Sequence, residues 1–500
     1  MKYLKIIAVI ATYITLGIFF THSLDSINQD IGRHLKLGEI IWQTRSVPDT
    51  NLFSFTEPDH RFINHHWLSE VIFFWINSVA GLNGLIVFKI IVLLSAFTFV
   101  FLSVRRLVPF WSFLLSFTAV FFILIERTDV RPEIFSYLLL SFFIFSIFRS
   151  KYENDSRYLF FLPLLQIIWT NSHIYFALGP ILLFFFLADK IINGADKKTW
   201  RRLAAIFGFT LAATLVNPHF IHGALAPLNI LREYGYSIVE NQSIFFLKDY
   251  GILEEKINVF EISLVALIAS FVPAWMVRGR KLTFEILAGL VFSVLAMRMI
   301  RNFSLYGYTM LPVMALNLSY FNLNWFKSKV VKLIGGVIYL LLLSSVSYWF
   351  VSASVTSLAG SKKFGLQIPE GARRGVEFVK QYEIAGPVFN NFDVGSFLIW
   401  KLYPEQKIFV DGRPEAYSVD FFEKVYKPMQ ENPADWEKYS ELYHINYVFF
   451  DHHDITPWAQ TFLGRISKDP RWPMVYLDES VVILLKRTGA NQTVISRFTR

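Results

Sequence analysis

The segment "SINQDIGRHLKLGEII", residues 26–41, decides how the chain is interpreted, because its ionisable groups directly follow an apolar block, residues 6–20. Asp30 precedes His34 by four residues, a spacing that would place both side chains on one face of a helix. A partly desolvated carboxylate at a membrane edge can accept a proton from a hydroxyl or an amine. The segment predicts Asp30 as a catalytic base and His34 as a pocket residue. Alternatively, Asp30 caps a helix and His34 faces lipid headgroups.

The composition of the whole chain indicates a polytopic membrane protein. Of its 500 residues, 54% are hydrophobic and 17% are charged, whereas a soluble domain carries roughly 25% charged residues. The sequence contains no cysteine, which excludes disulfides and thiolate metal sites. The net charge of +9 is concentrated in short loops, a pattern that favours cytoplasmic anchoring over nucleic-acid binding.

Apolar segments of the length needed to cross a bilayer, about 20 residues, recur along the first 355 residues. We predict about eleven spans: 4–22, 82–103, 109–126, 133–149, 158–171, 174–192, 203–217, 258–276, 282–298, 304–321 and 332–352. The first is interpreted as a retained anchor rather than a signal peptide, because "FFTHSLD" lacks the small residues of a cleavage site. Residues 68–80 are apolar but too short to cross, which predicts an interfacial helix.

Loop charges orient these spans in the cytoplasmic membrane with the N-terminus inside. Short loops dense in Lys and Arg, such as "RSKYENDSR" and "DKKTWRR", then all fall inside, as the positive-inside rule requires. The polar motifs collect on the outer side, including the first outer loop, residues 23–67. Residues 1–355 therefore form the predicted membrane domain.

The composition changes after Val355, and residues 360–487 predict a soluble α/β domain on the outer side. Its strand-like runs are "PVFNN", "KIFVDG", "INYVFFD", "MVYLDE" and "VVILLK", and its helix-like runs include "VGSFLIWKLY" and "VDFFEKVYKPM". Residues 488–500 are interpreted as a loose tail. The expected fold class is a polytopic α-helical membrane protein with a C-terminal α/β domain.

The motif "INHHWLSEV" places His66 and Glu70 one helical turn apart. Imidazoles and a carboxylate at this spacing suit a substrate pocket or a divalent-metal site. The alternative is an interfacial position beside the aromatic anchor Trp67.

The motif "ERTDVRPEIF" brings two arginines to the outer end of a span. Pro132 suits a first helical turn, so Arg127 and Arg131 lie just before the helix. Arginine grips phosphate through two parallel hydrogen bonds. Asp129, between the arginines, could bind a divalent cation, Mg or Mn, that bridges this phosphate. The alternative is an internal Arg–Asp ion pair.

A second arginine pair occurs in "LAMRMIRNFSLYGY", where Arg298 and Arg301 are three residues apart and are predicted to share a helix face. Lys89 lies within the second span and either snorkels to the interface or joins the arginines. We therefore expect Arg127, Arg131, Arg298, Arg301 and Lys89 to bind a dianionic phosphate or a pyrophosphate group.

Polar turns between spans supply further pocket candidates. His173 occurs in "WTNSH", Asn217 and His219 occur in "LVNPHF", and Asn241 occurs in "IVENQS". Such side chains can orient sugar hydroxyls. The alternative is that they satisfy the ends of their own helices.

Together these segments resemble the GT-C superfamily of integral-membrane glycosyltransferases. The similarity rests on residues 29–71 and on "RPEIFSYLLL", "WTNSH", "LVNPHF" and "RNFSLYGYTMLP". The resemblance implies transfer of a sugar from a polyprenyl-phosphate or polyprenyl-diphosphate carrier to an acceptor outside the cytoplasmic membrane. By position, Asp30 matches the first-loop acid of the superfamily, which the resemblance makes a base or an acceptor-binding carboxylate.

The chain also departs from the superfamily pattern. Residues 392–395 are similar to the Trp-Trp-Asp-Tyr-Gly acceptor motif of oligosaccharyltransferases but lack both tryptophans, and Asp129 stands outside a paired-acid motif. These departures argue against peptide sequon recognition and against metal dependence.

Two other functions fit the same sequence. A transporter or flippase for a lipid-linked envelope precursor would also need basic residues, although it usually shows paired repeats with broken helices. A non-catalytic membrane scaffold that retains the fold is the third reading. The main hypothesis is an inverting GT-C transferase whose partners are a polyprenyl-linked sugar donor, membrane lipids and an unidentified acceptor, with no nucleic acid.

Overall fold

A computed structural model of the protein describes residues 2–24, 30–229, 234–321, 328–355, 363–366 and 371–499. Residues 26–29 of the opening segment, and residues 360–362 and 367–370 of the predicted soluble domain, lie outside the described residues.

Helices dominate the first 355 residues, because a helix satisfies the backbone hydrogen bonds of an apolar segment internally. Their bounds are α1 Lys2–Phe20, α2 Ile31–Thr44, α3 Trp67–Val104, α4 Phe110–Leu124, α5 Glu133–Tyr152, α6 Leu162–Ser172, α7 Leu178–Ile192, α8 Lys197–Ala213, α9 Phe220–Leu225, α10 Ile244–Asp249, α11 Glu254–Arg278, α12 Thr283–Arg298, α13 Phe303–Ser319 and α14 Lys329–Val355. Every predicted span overlaps one of these helices. Among the described residues, 6 helical segments are long and apolar enough to cross a membrane, and the number of spans stays a prediction.

Helix α3 is broken at Gly81, where φ is 64° and ψ is −169°. Glycine adopts such a backbone without the steric cost that other residues meet. The break separates residues 67–80 from residues 82–104, so the short apolar helix and the following span are distinct segments, as the sequence predicted.

The chain divides into two compact units. Unit 1 contains Met1–Ser23, Asn83–Leu228 and Ile238–Leu366, and unit 2 contains Leu24–Leu82, Asn229–Ser237 and Gln367–Arg500. We had placed the first outer loop in the membrane domain, residues 1–355, whereas the structure groups it with the C-terminal segment. The reason is apolar packing, because Phe53 and Phe62 of this loop are buried in the two cores of unit 2.

Unit 1 is built around α13, whose residues 303–317 are all buried. The helix packs against α4, α5, α11 and α12. A helix that is apolar on most of its sides belongs in the interior of such a bundle.

Unit 2 contains a four-stranded sheet with strand order β1-β2-β4-β3. Strands β1 and β2 are parallel, and the other pairs are antiparallel. The elements are β1 Val388–Asn390, β2 Tyr447–Asp451, β3 Met474–Leu477, β4 Val481–Leu485, α15 Arg373–Gln381, α16 Phe392–Leu402, α17 Val419–Phe421, α18 Lys427–Glu431, α19 Pro433–Leu442, α20 Pro457–Ile466 and α21 Gln492–Phe498. This arrangement confirms the predicted C-terminal α/β fold.

Both faces of this sheet are covered. Tyr447 and Phe449 of β2 point into one core, and Val448 and Phe450 point into the other. Strands buried on both faces are expected to be continuously apolar rather than alternating, as "INYVFFD" and "VVILLK" are.

Two sequence-based predictions for unit 2 are wrong. The run "KIFVDG" is not a strand of the sheet, because Ile408 instead forms an isolated bridge with Ser54 of the first loop. The C-terminal residues are not a loose tail over 492–498, since they form α21 and bury Ile495 in one of the cores.

Candidate functional site

Arg127 and Arg131 are both paired with carboxylates in unit 1. Arg127 Nε donates to Glu133 Oε1 at 2.9 Å, and its Nη1 lies 2.9 Å from Glu240 Oε1. Arg131 Nη1 donates to Glu240 Oε2 at 3.1 Å. Both arginines therefore form internal ion pairs, but the carboxylates in these pairs belong to Glu133 and Glu240, whereas the alternative named an Arg–Asp pair.

The local sequence explains how these groups are positioned. Helix α5 begins at Glu133 directly behind Pro132, and an acid is favourable at this positive end of a helix. The backbone N–H of Arg127 donates to Ser304 Oγ at 3.2 Å, which ties the link between α4 and α5 to the start of α13. Glu240 lies on the short 3₁₀ turn Val239–Asn241.

Arg301 completes the arginine cluster, which we define as Arg127, Arg131 and Arg301. Its Nη1 donates to Asn241 Oδ1 at 2.9 Å, and its guanidinium carbon lies 5.9 Å from the centre of the Tyr175 ring. The predicted pocket residue Asn241 is thus a partner of a predicted phosphate-binding residue.

The charge of the cluster acts on Glu240. Burial alone would raise the pKa of this carboxyl, but attraction to Arg127, Arg131 and Arg301 outweighs burial and holds the pKa well below its ordinary value. Glu240 therefore stays ionised at neutral pH.

Several buried donors beside these ion pairs have no hydrogen-bond partner among the described residues, and three of them matter here. They are Arg127 Nη2, Arg301 Nε and the hydroxyl of Tyr137. A buried donor without a partner costs about 1–3 kcal/mol, so such a set favours a ligand that accepts hydrogen bonds.

Arg298 does not share a helix face with Arg301, and that prediction is wrong. Helix α12 ends at Arg298, Met299 is extended with φ −150° and ψ 122°, and Arg301 lies in the following 3₁₀ turn. The side chain of Arg298 is exposed and forms no hydrogen bond or ion pair with any part of the chain that the structure describes.

Lys89 lies in the interior of unit 1 and does not snorkel, since its exposed fraction is 1%. Its Nζ lies 3.1 Å from His22 Nε2. The same imidazole nitrogen lies 3.0 Å from the Thr128 carbonyl and 3.8 Å from Asp129 Oδ1. Through His22, Lys89 therefore reaches the turn that carries Arg127.

The remaining pocket candidates of unit 1 differ in their surroundings. His173 is buried, and its Nδ1 lies 2.9 Å from Ser136 Oγ, which also accepts a hydrogen bond from Trp169. Asn217 instead follows the capping alternative, because its amide donates to two backbone carbonyls of its own turn at 2.8 Å. Its Oδ1 accepts from the backbone N–H of His219 at 2.8 Å.

In unit 2, Asp30 occupies the N-cap position of α2, as the alternative expected, but its side chain does not cap the helix. Its backbone is left-handed, with φ 56° and ψ 7°, and its side chain makes no capping hydrogen bond. Ser396 Oγ of α16 donates to Asp30 Oδ1 at 2.8 Å. A Cβ added at Gly412 would stand 2.3 Å from the same oxygen. Glycine at 412 is therefore what allows the chain to approach this carboxylate so closely.

Glu70 accepts hydrogen bonds from other polar side chains of the first loop. It is 0% exposed and accepts hydrogen bonds from Asn64 Nδ2 at 2.7 Å and from His34 Nδ1 at 3.0 Å. Arg33 Nη2 lies 3.4 Å from His34 Nε2, so Nε2 is the acceptor of this ring and Nδ1 carries the proton. The ring of His66 lies 5.9 Å from that of His34. The three pocket candidates of this loop therefore lie together.

The surroundings of His34 predict that the stability of the fold depends on pH. Burial lowers the pKa of His34, the charge of Arg33 lowers it further, and Glu70 and Asp30 act in the opposite direction. Unfolded histidine titrates near pH 6.5, so the unfolded chain binds this proton more readily. The stability that neutral His34 contributes is complete above about pH 6.5 and is lost as the pH falls. We expect the melting temperature to drop between about pH 7.5 and about pH 5.5.

The measurement is thermal unfolding of the full chain over this range, and His34→Gln should flatten part of the drop. His222→Gln is the matched control, because His222 is exposed. Identical profiles for His34→Gln and the wild type would contradict the prediction.

The described part of the chain shows no arrangement of side chains that suits a cation. Among the described residues, no group of 3 or more His, Asp or Glu side chains is arranged to hold a metal ion. Both oxygens of Glu70 receive hydrogen bonds, and Asp129 lies beside His22. We therefore derive no step through Mg or Mn.

Three residues of these groups escaped the sequence analysis. Glu240 stands in "IVENQS", where Asn241 was selected instead, and an acid in a polar turn of a protein with several outer arginines was an available signal. His22 and Ser396 carry no such signal, because a lone histidine and a serine within an apolar helix have many ordinary explanations.

The helical bundle and the small C-terminal sheet define the class. The chain shares its fold with solved structures of an archaeal oligosaccharyltransferase and of ArnT, which fits the fold that the resemblance implied. No family model and no curated protein matches the sequence.

Solved structures give the particular likenesses. The chain is similar to the archaeal oligosaccharyltransferase AglB from Archaeoglobus fulgidus in complex with an inhibitory peptide and a dolichol-phosphate, with a TM-score of 0.61, 11% identity, and coverage of 97% of this chain and 74% of that one. It is similar to ArnT from Cupriavidus metallidurans bound to undecaprenyl phosphate, with a TM-score of 0.52, 12% identity, and coverage of 98% of each chain. The Archaeoglobus enzyme in complex with Zn and sulfate gives a TM-score of 0.54 at 12% identity, over 97% and 73% of the two chains.

Proposed function

We propose that this protein is a membrane glycosyltransferase that moves a sugar from a polyprenyl-linked phosphate or diphosphate to an acceptor on the outer side of the cytoplasmic membrane. The N-terminus is inside and the C-terminal domain outside. The shared fold supports the proposal, because the AglB structure contains a dolichol-phosphate and the ArnT structure contains undecaprenyl phosphate. The observation in this chain that carries the proposal is the arginine cluster with its unpartnered buried donors.

The chemistry requires one displacement. The acceptor oxygen or nitrogen attacks the anomeric carbon, and the bond from this carbon to the carrier phosphate oxygen breaks. Asp30 takes the proton of the acceptor as general base. The arginine cluster stabilises the negative charge that develops on the leaving phosphate. Such an in-line displacement inverts the anomeric configuration.

Arg301→Ala should weaken the binding of undecaprenyl phosphate. The substitution removes a donor for which the described residues provide no partner, and hydrogen bonds to charged groups contribute about 1.5–3 kcal/mol. The expected loss of affinity is therefore roughly 10-fold to 100-fold. The measurement is a lipid-binding titration on the full chain in nanodiscs.

Arg280→Ala is the matched control, since exposed Arg280 precedes α12 whereas Arg301 follows it. Mass spectrometry of envelope glycans should show a missing sugar in a strain that lacks the protein. The wild type and Arg280→Ala should restore this sugar, and Arg301→Ala should not. Unchanged glycans in the deletion strain, or unchanged lipid affinity of Arg301→Ala, would contradict the proposal.

A further inference from the structure

The arginine cluster already holds a carboxylate that resembles part of a ligand. One oxygen of Glu240 lies 2.9 Å from Arg127 Nη1, and the other lies 3.1 Å from Arg131 Nη1. A carboxylate that bridges two guanidinium groups uses the donors that phosphate oxygens also use. Glu240 therefore takes up part of the positive charge of the cluster before a donor binds.

The positive charge of the arginine cluster exceeds the negative charge of its carboxylate partners by a small amount. Among the described residues, the three guanidinium groups face the carboxylates of Glu133 and Glu240, which leaves one net positive charge. Nearby Asp129 does not change this count, because the ammonium of Lys89 lies 3.1 Å from the same His22 nitrogen and offsets its charge. Adjacent Glu126 does not change this balance, because it is paired with Lys256 at 2.7 Å.

We propose that Glu240 determines the donor class, so that the arginine cluster accepts a carrier with one phosphate group and disfavours a diphosphate. This inference rests on the proposed function. A sugar joined to a polyprenyl monophosphate is a phosphodiester with one negative charge, which balances the remainder. The second charge of a diphosphate would have no counter-charge and would meet the carboxylate of Glu240, and like charges placed together disfavour the wrong partner.

The donors that Glu240 occupies differ from the donors that are left without a partner. The carboxylate occupies Nη1 of Arg127 and Nη1 of Arg131, whereas Arg127 Nη2 and Arg301 Nε are the donors that lack a partner among the described residues. A monophosphate can thus be bound through donors that Glu240 does not occupy.

Glu240 is also held in place. Its side chain is 37% exposed, but the adjacent Asn241 accepts from Arg301 at 2.9 Å and Gln242 O accepts from the backbone N–H of Ile300 at 3.3 Å. Because its pKa is lowered, the carboxylate keeps its charge across the neutral range. A fixed and ionised side chain can therefore disfavour a carrier that brings a second negative charge to the cluster.

The test compares undecaprenyl phosphoglucose with undecaprenyl diphosphoglucose, which carry one and two negative charges, in competition binding to the full chain in nanodiscs. The wild type should prefer the monophosphate lipid. Glu240→Gln keeps the shape of the side chain and removes its charge, so the preference should shift toward the diphosphate lipid by roughly 10-fold or more.

Two controls separate charge from shape and from general electrostatics. Glu240→Asp keeps the charge and should keep most of the wild-type preference. Glu261→Gln removes an equal charge from an exposed pair with Lys248 and should change nothing. An unchanged preference in Glu240→Gln, or a wild type that favours the diphosphate lipid, would overturn this inference while the proposed function stands. If Arg301→Ala binds both lipids as the wild type does, the cluster is not the phosphate site and both proposals fail.

Discussion

Asp30→Asn should abolish sugar transfer while undecaprenyl phosphate still binds. The amide is similar in shape to the carboxylate and can still accept the hydrogen bond that Ser396 donates to Asp30 at 2.8 Å, but it cannot take a proton from the acceptor. A positioned base contributes about 10² to 10⁴-fold to rate, so the expected loss is within that range. The measurement is single-turnover product formation by mass spectrometry, together with the lipid-binding titration on the same preparation.

Residues around Asp30 allow one variant with a smaller expected loss of activity and a pair of glycine variants that serve as test and control. Ser396→Ala removes the hydrogen bond alone, so a smaller loss of rate is expected. Gly412→Ala would place a methyl group 2.3 Å from the Asp30 carboxylate oxygen, whereas a Cβ at Gly464 meets nothing within 4 Å. Gly412→Ala should therefore lose most activity and Gly464→Ala should lose none. Full sugar transfer by Asp30→Asn would remove Asp30 from the role of base, whereas no sugar transfer by the wild type would favour the transporter or scaffold hypothesis.

The fold was largely predictable because its determinants are local. Long apolar segments form helices whatever their neighbours are, and each predicted span overlaps a helix in the structure. The run "KIFVDG" failed for the opposite reason. An apolar run is equally compatible with a sheet strand and with a buried link, and the hydrogen bond from Ile408 N to the Phe53 carbonyl, which decides between them, joins residues far apart in sequence.

The sequence was enough to select candidate residues from their chemical type and position, but it was not enough to predict which residues they contact. A polar residue beside an apolar span is visible in the sequence, and this rule found Arg127, Arg301 and Asn241. The i, i+3 rule failed for Arg298, because it presumes a continuous helix and Met299 leaves the helix. The pairing of Arg127 with Glu240 joins two links more than 100 positions apart, and no local pattern predicts such a contact.

Arg413→Ala should destabilise unit 2 by about 3–5 kcal/mol, the range observed when one partner of a buried ion pair is removed. Arg413 is 1% exposed and donates through Nε and Nη2 to both oxygens of Asp411 at 2.7 Å. Its Nη2 also donates to Asn51 Oδ1 at 2.9 Å, which links the first loop to the C-terminal segment. Because a domain is stable by only about 5–15 kcal/mol, we expect a large drop in melting temperature and early proteolysis of residues 24–82.

Arg471→Ala provides the matched control, because Arg471 follows Asp469 at the same two-residue spacing and forms an ion pair of 2.8 Å with it. The side chains of Arg471 and Asp469 are 60% and 15% exposed, so water still reaches the carboxylate that the substitution leaves, and exposed pairs contribute about 0–1 kcal/mol. Both substitutions remove the arginine of an Arg–Asp pair in the same unit. Arg413→Ala should thus lower the unfolding temperature strongly, and Arg471→Ala should hardly change it. Equal shifts in the unfolding temperature of both variants would mean that burial of the ion pair does not decide its contribution to the stability of this unit.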